Sequence, residues 1–181
     1  VSEDSRGESV RHGVRLGIDV GTVRVGVAVC DPDGILATPW KTLSRDQKKN
    51  SDLKLIVKEA VAREAKIVYV GLPQTLRGTE SASAELARDL AGILAELLSE
   101  AAPNSEVRLI DERLSSVSAH QQLRAAGVPG REQRKVVDQV AAAGILQHAL
   151  EMEKSASNPV GELVPAHVDV AKAERPDVAG R

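Results

Sequence analysis

Apolar residues alternate with others at Val14, Leu16, Ile18 and Val20, and again at Val23, Val25, Val27 and Val29. A period of two over that length predicts two strands joined by a Gly-Thr turn. A third strand, Ile35–Leu43, is entered through the turn Pro32-Asp33-Gly34. Pro39 cannot donate to a ladder and marks this strand as an edge. The period then changes. Leu53, Ile56, Val57, Ala60 and Val61 recur at helical spacing behind a cap at Ser51. Lys66–Gly71 is a short apolar run of the buried-strand kind. After a loop at Pro73–Gly78, Thr79 can cap a long helix to about Glu100 that carries Ala84, Leu86, Ala87, Leu90, Ile93, Leu94 and Leu97. Val107–Ile110 is a further strand. Ser115 or Ser116 opens a helix to Ala126, and Gln133–Met152 forms the last one.

A hairpin followed by strand–helix alternation predicts an α/β fold, a mixed sheet of five strands with helices on both faces. Residues 1–13 and 153–181 are polar and aperiodic and are expected to be disordered flanks of a domain spanning 14–152. The chain of 181 residues is long enough for one ordinary core. No apolar run is long enough to span a bilayer and no signal-peptide core precedes the first strand, so a cytoplasmic protein without a membrane partner is expected.

Composition narrows the function. The formal net charge is −2 and aromatic residues make up 1% of the chain. Nucleic-acid binding would therefore rest on a local basic patch or a metal rather than on global charge or stacking platforms. The single cysteine, Cys30, excludes an internal disulfide and a multi-cysteine zinc site. Its place in a strand predicts a buried reduced thiol, with a disulfide between two copies as the sharper alternative. His12, His120, His148 and His167 are scattered and read as surface residues.

The acidic residues carry the chemistry. In open sheets ligands collect beyond the carboxyl ends of parallel strands, where Asp19 and the pair Asp111-Glu112 would lie. Asp19, beside Gly21 and on the side of its strand shared with Gly17, either caps the turn or meets a metal or phosphate. Asp138 stands in the first turns of the last helix among Val136, Val137, Val140 and Ala141. It is either a dipole partner facing water or a carboxylate brought to the strand ends. Converging carboxylates repel unless a cation sits among them. Hard oxygen donors suit Mg²⁺ or Mn²⁺, and two such ions about 3.5–4 Å apart can drive phosphodiester hydrolysis. Arg113, Arg124, Arg131, Arg134 and Lys135 cluster nearby against Glu132 alone; such a run is either a solvated face or a phosphate contact.

Four segments in order resemble the YqgF (RuvX) family: Gly17-Ile18-Asp19-Val20-Gly21-Thr22 with Arg24-Val25-Gly26-Val27-Ala28; Val70-Gly71-Leu72-Pro73 with Gly78; Asp111-Glu112-Arg113-Leu114-Ser115-Ser116; and Lys135-Val136-Val137-Asp138-Gln139-Val140-Ala141-Ala142. The resemblance spans about Val14 to Leu150. It implies a ribonuclease H-like fold and a metal-dependent endonuclease with Asp19, Glu112 and Asp138 as catalytic metal ligands, Asp111 being left open as a further one. The substrate it implies is structured RNA (the 5′ end of 16S rRNA precursor) or four-way junction DNA. Arg24, Arg77, Arg113, Arg134 and Lys135 are the expected contacts to nucleic acid. A symmetric junction would call for a homodimer, because paired cuts need paired sites.

Two other classes compete. An inactive nucleic-acid-binding scaffold in RNA processing or transcription would leave the acidic set without a purpose. An actin-like kinase or ATPase shares a strand-Asp-Gly-Thr opening but needs two such domains, and no G-x-x-x-x-G-K-[ST] loop is present.

Overall fold

The computed structural model describes residues 12–74, 80–112 and 131–166. The opening hairpin forms as patterned: β1 (Arg15–Val20) pairs antiparallel with β2 (Arg24–Cys30), which pairs with β3 (Ala37–Ser44). Helix α1 (Ser51–Ala62) leads to β4 (Ile67–Leu72), parallel to β1. Helix α2 (Ala82–Ala101) leads to β5 (Glu106–Asp111), parallel to β4. Helix α3 (Arg131–Ala156) and a short strand β6 (Glu162–Leu163) follow. The sheet order is β3-β2-β1-β4-β5-β6, so β3 with Pro39 does lie at an edge. Trp40 is the extra residue of a bulge there, since Val27 pairs with Lys41 while Ala28 pairs with Pro39.

Strand pleating sorts the core into two layers. Leu16, Ile18, Val25, Val27, Val68, Val70, Val107 and Leu109 face α1 and α2. Ala28, Cys30, Ile67, Tyr69 and Ile110 face Ala141, Ala142, Ile145, Leu146, Ala149 and Leu150 of α3. Helix α3 approaches closely because β1 presents Gly17 to it; a Cβ there would stand 2.6 Å from the Leu146 Cβ. At the far end of α3, Arg15 (1% exposed) donates from Nη2 to Glu153 Oε2 at 2.8 Å, and the Tyr69 hydroxyl donates to Glu153 Oε1. Burial and then this carboxylate hold the Tyr69 hydroxyl well above the usual phenol range.

Several expectations need correction. The sheet has six strands, not five, and the segment after 152 is not all disordered: α3 continues to Ala156 and β6 pairs with β5 at Arg108–Leu163 and Leu109–Glu162. Two residues carry no periodicity, so β6 could not be read; Gly161 (φ +79°) and Arg88, which binds Glu162 at 3.1 Å, hold it in place. The leader's last two residues are also anchored, Gly13 N donating to Pro32 O and His12 lying 3.4 Å from Asp33. Ser81, not Thr79, caps α2 by accepting from Ala84 N. Val136 and Val140 are exposed, so the buried stripe of α3 begins at Ala141. His148 is half-buried rather than a fully exposed surface residue, and its buried Nε2 has no hydrogen-bond partner among the described residues. Cys30 is a buried free thiol whose sulfur accepts from Arg15 N, and burial pushes its pKa up. The predicted helix to Ala126 lies outside the described residues, as do His120 and His167.

Helix α1 shows a different cap from the expected Ser51. Asn50 holds the N-cap position in the left-handed region, but its side chain makes no capping bond and accepts from Arg45 Nη2 instead. Asp46 supplies the capping instead, accepting from the Ser51 hydroxyl and from the Lys48, Lys49 and Ser51 amides. These donors, the hydroxyl first, lower its pKa to about 2. A depressed carboxylate contributes stability above the ordinary Asp pKa of about 4 and loses it as pH falls through the folded value. Asp46→Ala will therefore lower the urea midpoint at pH 7, and the gap from wild type will close as the pH approaches 2.

Candidate active site at the carboxyl ends of β1 and β5

Asp19 sits one residue from the end of β1, paired with Gly26 on β2. On its other side, one step beyond the Ile18–Val70 pair, runs Gly71 of β4. These two glycines open the floor on which the other acids rest. A Cβ at Gly26 would run into the backbone carbonyl of Asp138 and stand 3.2 Å from its Cβ. One at Gly71 would stand 2.5 Å from Glu112 Oε1 and 2.6 Å from Ile145 Cδ1. Asp138 thus lies over the strand on one side of Asp19, and the Glu112 carboxylate over the strand on the other. All three occupy the α3 face of the sheet, and Asp19 and Glu112 are each 7% exposed.

Asp111 is placed differently. It follows Val107 and Leu109 in the pleat, both of which face α1 and α2, so alternation turns it to the opposite face from Glu112.

Basic groups border the site unequally. Arg24, at the start of β2, donates from Nε to Asp138 Oδ2 at 2.8 Å, with the side chains 28% and 13% exposed. This pair joins residues far apart in sequence, and no local spacing could have announced it. Arg134 and Lys135 are exposed on the first turns of α3. Thr42 Oγ1 donates to the Lys135 carbonyl at 2.5 Å and ties this end of the helix to β3. Arg77 and Arg113 lie outside the described residues.

Among the described residues no three His, Cys, Asp or Glu side chains are gathered tightly enough to hold one ion. The composition of the set nevertheless fits a hard divalent cation. The donors are carboxylate oxygens from three separate parts of the chain, and the glycine floor lets Asp138 and Glu112 lie close against the strands beside Asp19. Among the described residues the guanidinium of Arg24 is a cation that Asp138 meets.

Gly71→Ala tests the floor. Its methyl would displace the Glu112 carboxylate and Ile145 together, so activity should fall along with stability by about 1–3 kcal/mol, read by urea unfolding. A fully stable, fully active variant would show that the close approach is not needed.

The RuvX family model, described as Holliday junction resolvase, matches residues 13–152. A Clavibacter sepedonicus protein named "Putative pre-16S rRNA nuclease" is 46% identical over 156 residues, 86% of this chain and 94% of that one. A Mycolicibacterium smegmatis protein of the same name is 52% identical over 150 residues, covering 80% and 84%. Among solved structures, T. thermophilus RuvC in complex with Holliday junction substrate superposes with a TM-score of 0.50 at 18% identity, over 82% of this chain and all of that one. That likeness establishes the ribonuclease H-like α/β fold. With the family match covering β1, β5 and the helix from which Asp19, Glu112 and Asp138 come, the chain belongs to the RuvX family.

Proposed function

We propose that this protein is a Mg²⁺- or Mn²⁺-dependent endonuclease acting on structured nucleic acid, with the 5′ end of 16S rRNA precursor as substrate. The observation that carries the reading is the placement of Asp19, Glu112 and Asp138 on one face over the glycines that flank Asp19. The choice of RNA follows the relatives with 46% and 52% identity, whose names specify pre-16S rRNA. The three carboxylates would hold the metal, and Asp111, turned to the other face, would not. A divalent ion in such a set supplies Lewis acidity at a phosphoryl oxygen and a source of hydroxide at neutral pH. Asp19 would fix the geometry, being held on β1 by its pairing with Gly26. Glu112 and Asp138 close over it from β5 and α3. Arg24, Arg134 and Lys135, with Arg77 and Arg113, would neutralise and orient the phosphate backbone.

A binding-only scaffold fits less well, because carboxylates beside a phosphate path weaken binding and offer nothing in return without a cation. Four-way junction cleavage is the second reading, favoured by the description of the matching family; it would require a homodimer with paired sites. Cleavage assays on a 16S precursor fragment and a four-way DNA junction, each with Mg²⁺, with Mn²⁺ and with chelator, decide among the three. Metal-dependent cutting of the RNA at one position is the expected result. Cutting of the junction alone would move the protein to the second reading, and metal-independent binding without any cutting would move it to the scaffold.

A further inference from the structure

Arg24 does more in this structure than line a phosphate path. It lies two residues before Gly26 on β2, hence on the same face, and the backbone of Asp138 rests on Gly26. The guanidinium is therefore held beside the one acid of the three that is carried on a helix rather than a strand end. Its Nε makes the 2.8 Å contact to Asp138 Oδ2, while no hydrogen bond from its Nη nitrogens is found among the described residues. The pair is part-buried, with Arg24 28% exposed, so the arginine has solvent into which it can swing.

We infer that Arg24 is a built-in competitor for the Asp138 carboxylate: it neutralises this acid in the metal-free protein and must release it for a divalent cation to be held. This rests on the reading of Asp138 as a metal ligand. The competition has two consequences. It keeps three converging acids from repelling one another before the ion arrives, so the fold does not depend on metal. It also couples metal loading to substrate contact, because a released guanidinium offers its whole donor fork to a phosphate. Arg24 is thus a positioning residue whose preferred partner changes from carboxylate to phosphate.

The test is the affinity of the full chain for Mn²⁺ without nucleic acid, read from the free-ion signal in electron paramagnetic resonance. Wild type, Arg24→Gln, Asp138→Asn and the double variant form a cycle. Arg24→Gln should bind Mn²⁺ roughly fivefold more tightly than wild type, the loss of a competing ion pair of ordinary strength. In the Asp138→Asn background the same change should do almost nothing. An equal gain in both backgrounds would mean that Arg24 acts only through its charge at a distance, and no gain in either would mean that it does not compete; both overturn the inference. If Asp138→Asn itself leaves Mn²⁺ affinity at the wild-type value, the metal-site reading fails first. Arg24→Lys keeps the charge but loses the planar fork and should give a smaller gain. It serves as the folded substitute if Arg24→Gln does not express.

Discussion

Asp19→Asn will reduce cleavage by at least a thousandfold while leaving the protein folded. The size follows from the several kcal/mol of charge stabilisation that a divalent ion supplies to phosphodiester hydrolysis, each ~1.4 kcal/mol being tenfold in rate. The retained fold follows from geometry. Asn matches Asp in shape, Asp19 is fixed by pairing to Gly26, and removing one negative charge from a site with two others relieves repulsion. A melting temperature within a few degrees of wild type, together with retained binding of uncut substrate, would separate lost chemistry from lost structure. Cleavage at the wild-type rate would remove Asp19 from the mechanism and with it the metal reading.

Glu153→Leu should produce the largest loss of stability of any substitution considered. Glu153 is 6% exposed and is the carboxylate between Arg15, 1% exposed, and the Tyr69 hydroxyl. Leucine in its place takes the carboxylate away from a buried guanidinium, and breaking a buried ion pair on one side costs about 3–5 kcal/mol. For a chain of this size that is a fall in melting temperature of roughly 10 °C. The pairing explains the number more than the charge does. Arg15→Met combined with Glu153→Leu removes both ions and should recover most of the loss. If the single variant melts with wild type, Glu153 does not hold α3 to β1. The effect should also reach the active site, because the same helix carries Asp138 at its other end.

The alternation from Val14 to Val29 was enough to predict the hairpin and to place Asp19 on the side of Gly17, opposite the core valines. Apolar runs ending in Gly-Leu-Pro and in Asp-Glu likewise marked β4 and β5, since a strand buried on both faces has few other compositions open to it. The functions of Gly26 and Gly71 were not legible. A glycine in a strand signals that something approaches closely, but only the folded chain shows that it is the Asp138 backbone in one case and the Glu112 carboxylate in the other. The Arg24–Asp138 pair was hidden for the same reason, its two halves lying on β2 and α3. The side of the sheet on which Asp111 falls follows from counting the pleat, yet it required knowing where β5 ends. The α1 cap was missed because Asp46 acts from five residues before Ser51 rather than from the N-cap position.

The two margins of the sheet bear on how copies of this protein can meet. An open strand edge invites another chain to extend the ladder, the usual route to aggregation. On one side β6 covers β5 with two residues, its Glu162 clamped by Arg88, leaving little length on which a further strand could register. On the other side β3 carries Pro39, which has no amide proton to give, and a bulge at Trp40 that bends the ladder away from flatness. Among the described residues neither margin offers an uninterrupted ladder for pairing. A second copy meeting this one edge to edge would find the described ladder interrupted on either side, which favours docking through side chains over continuous strand pairing.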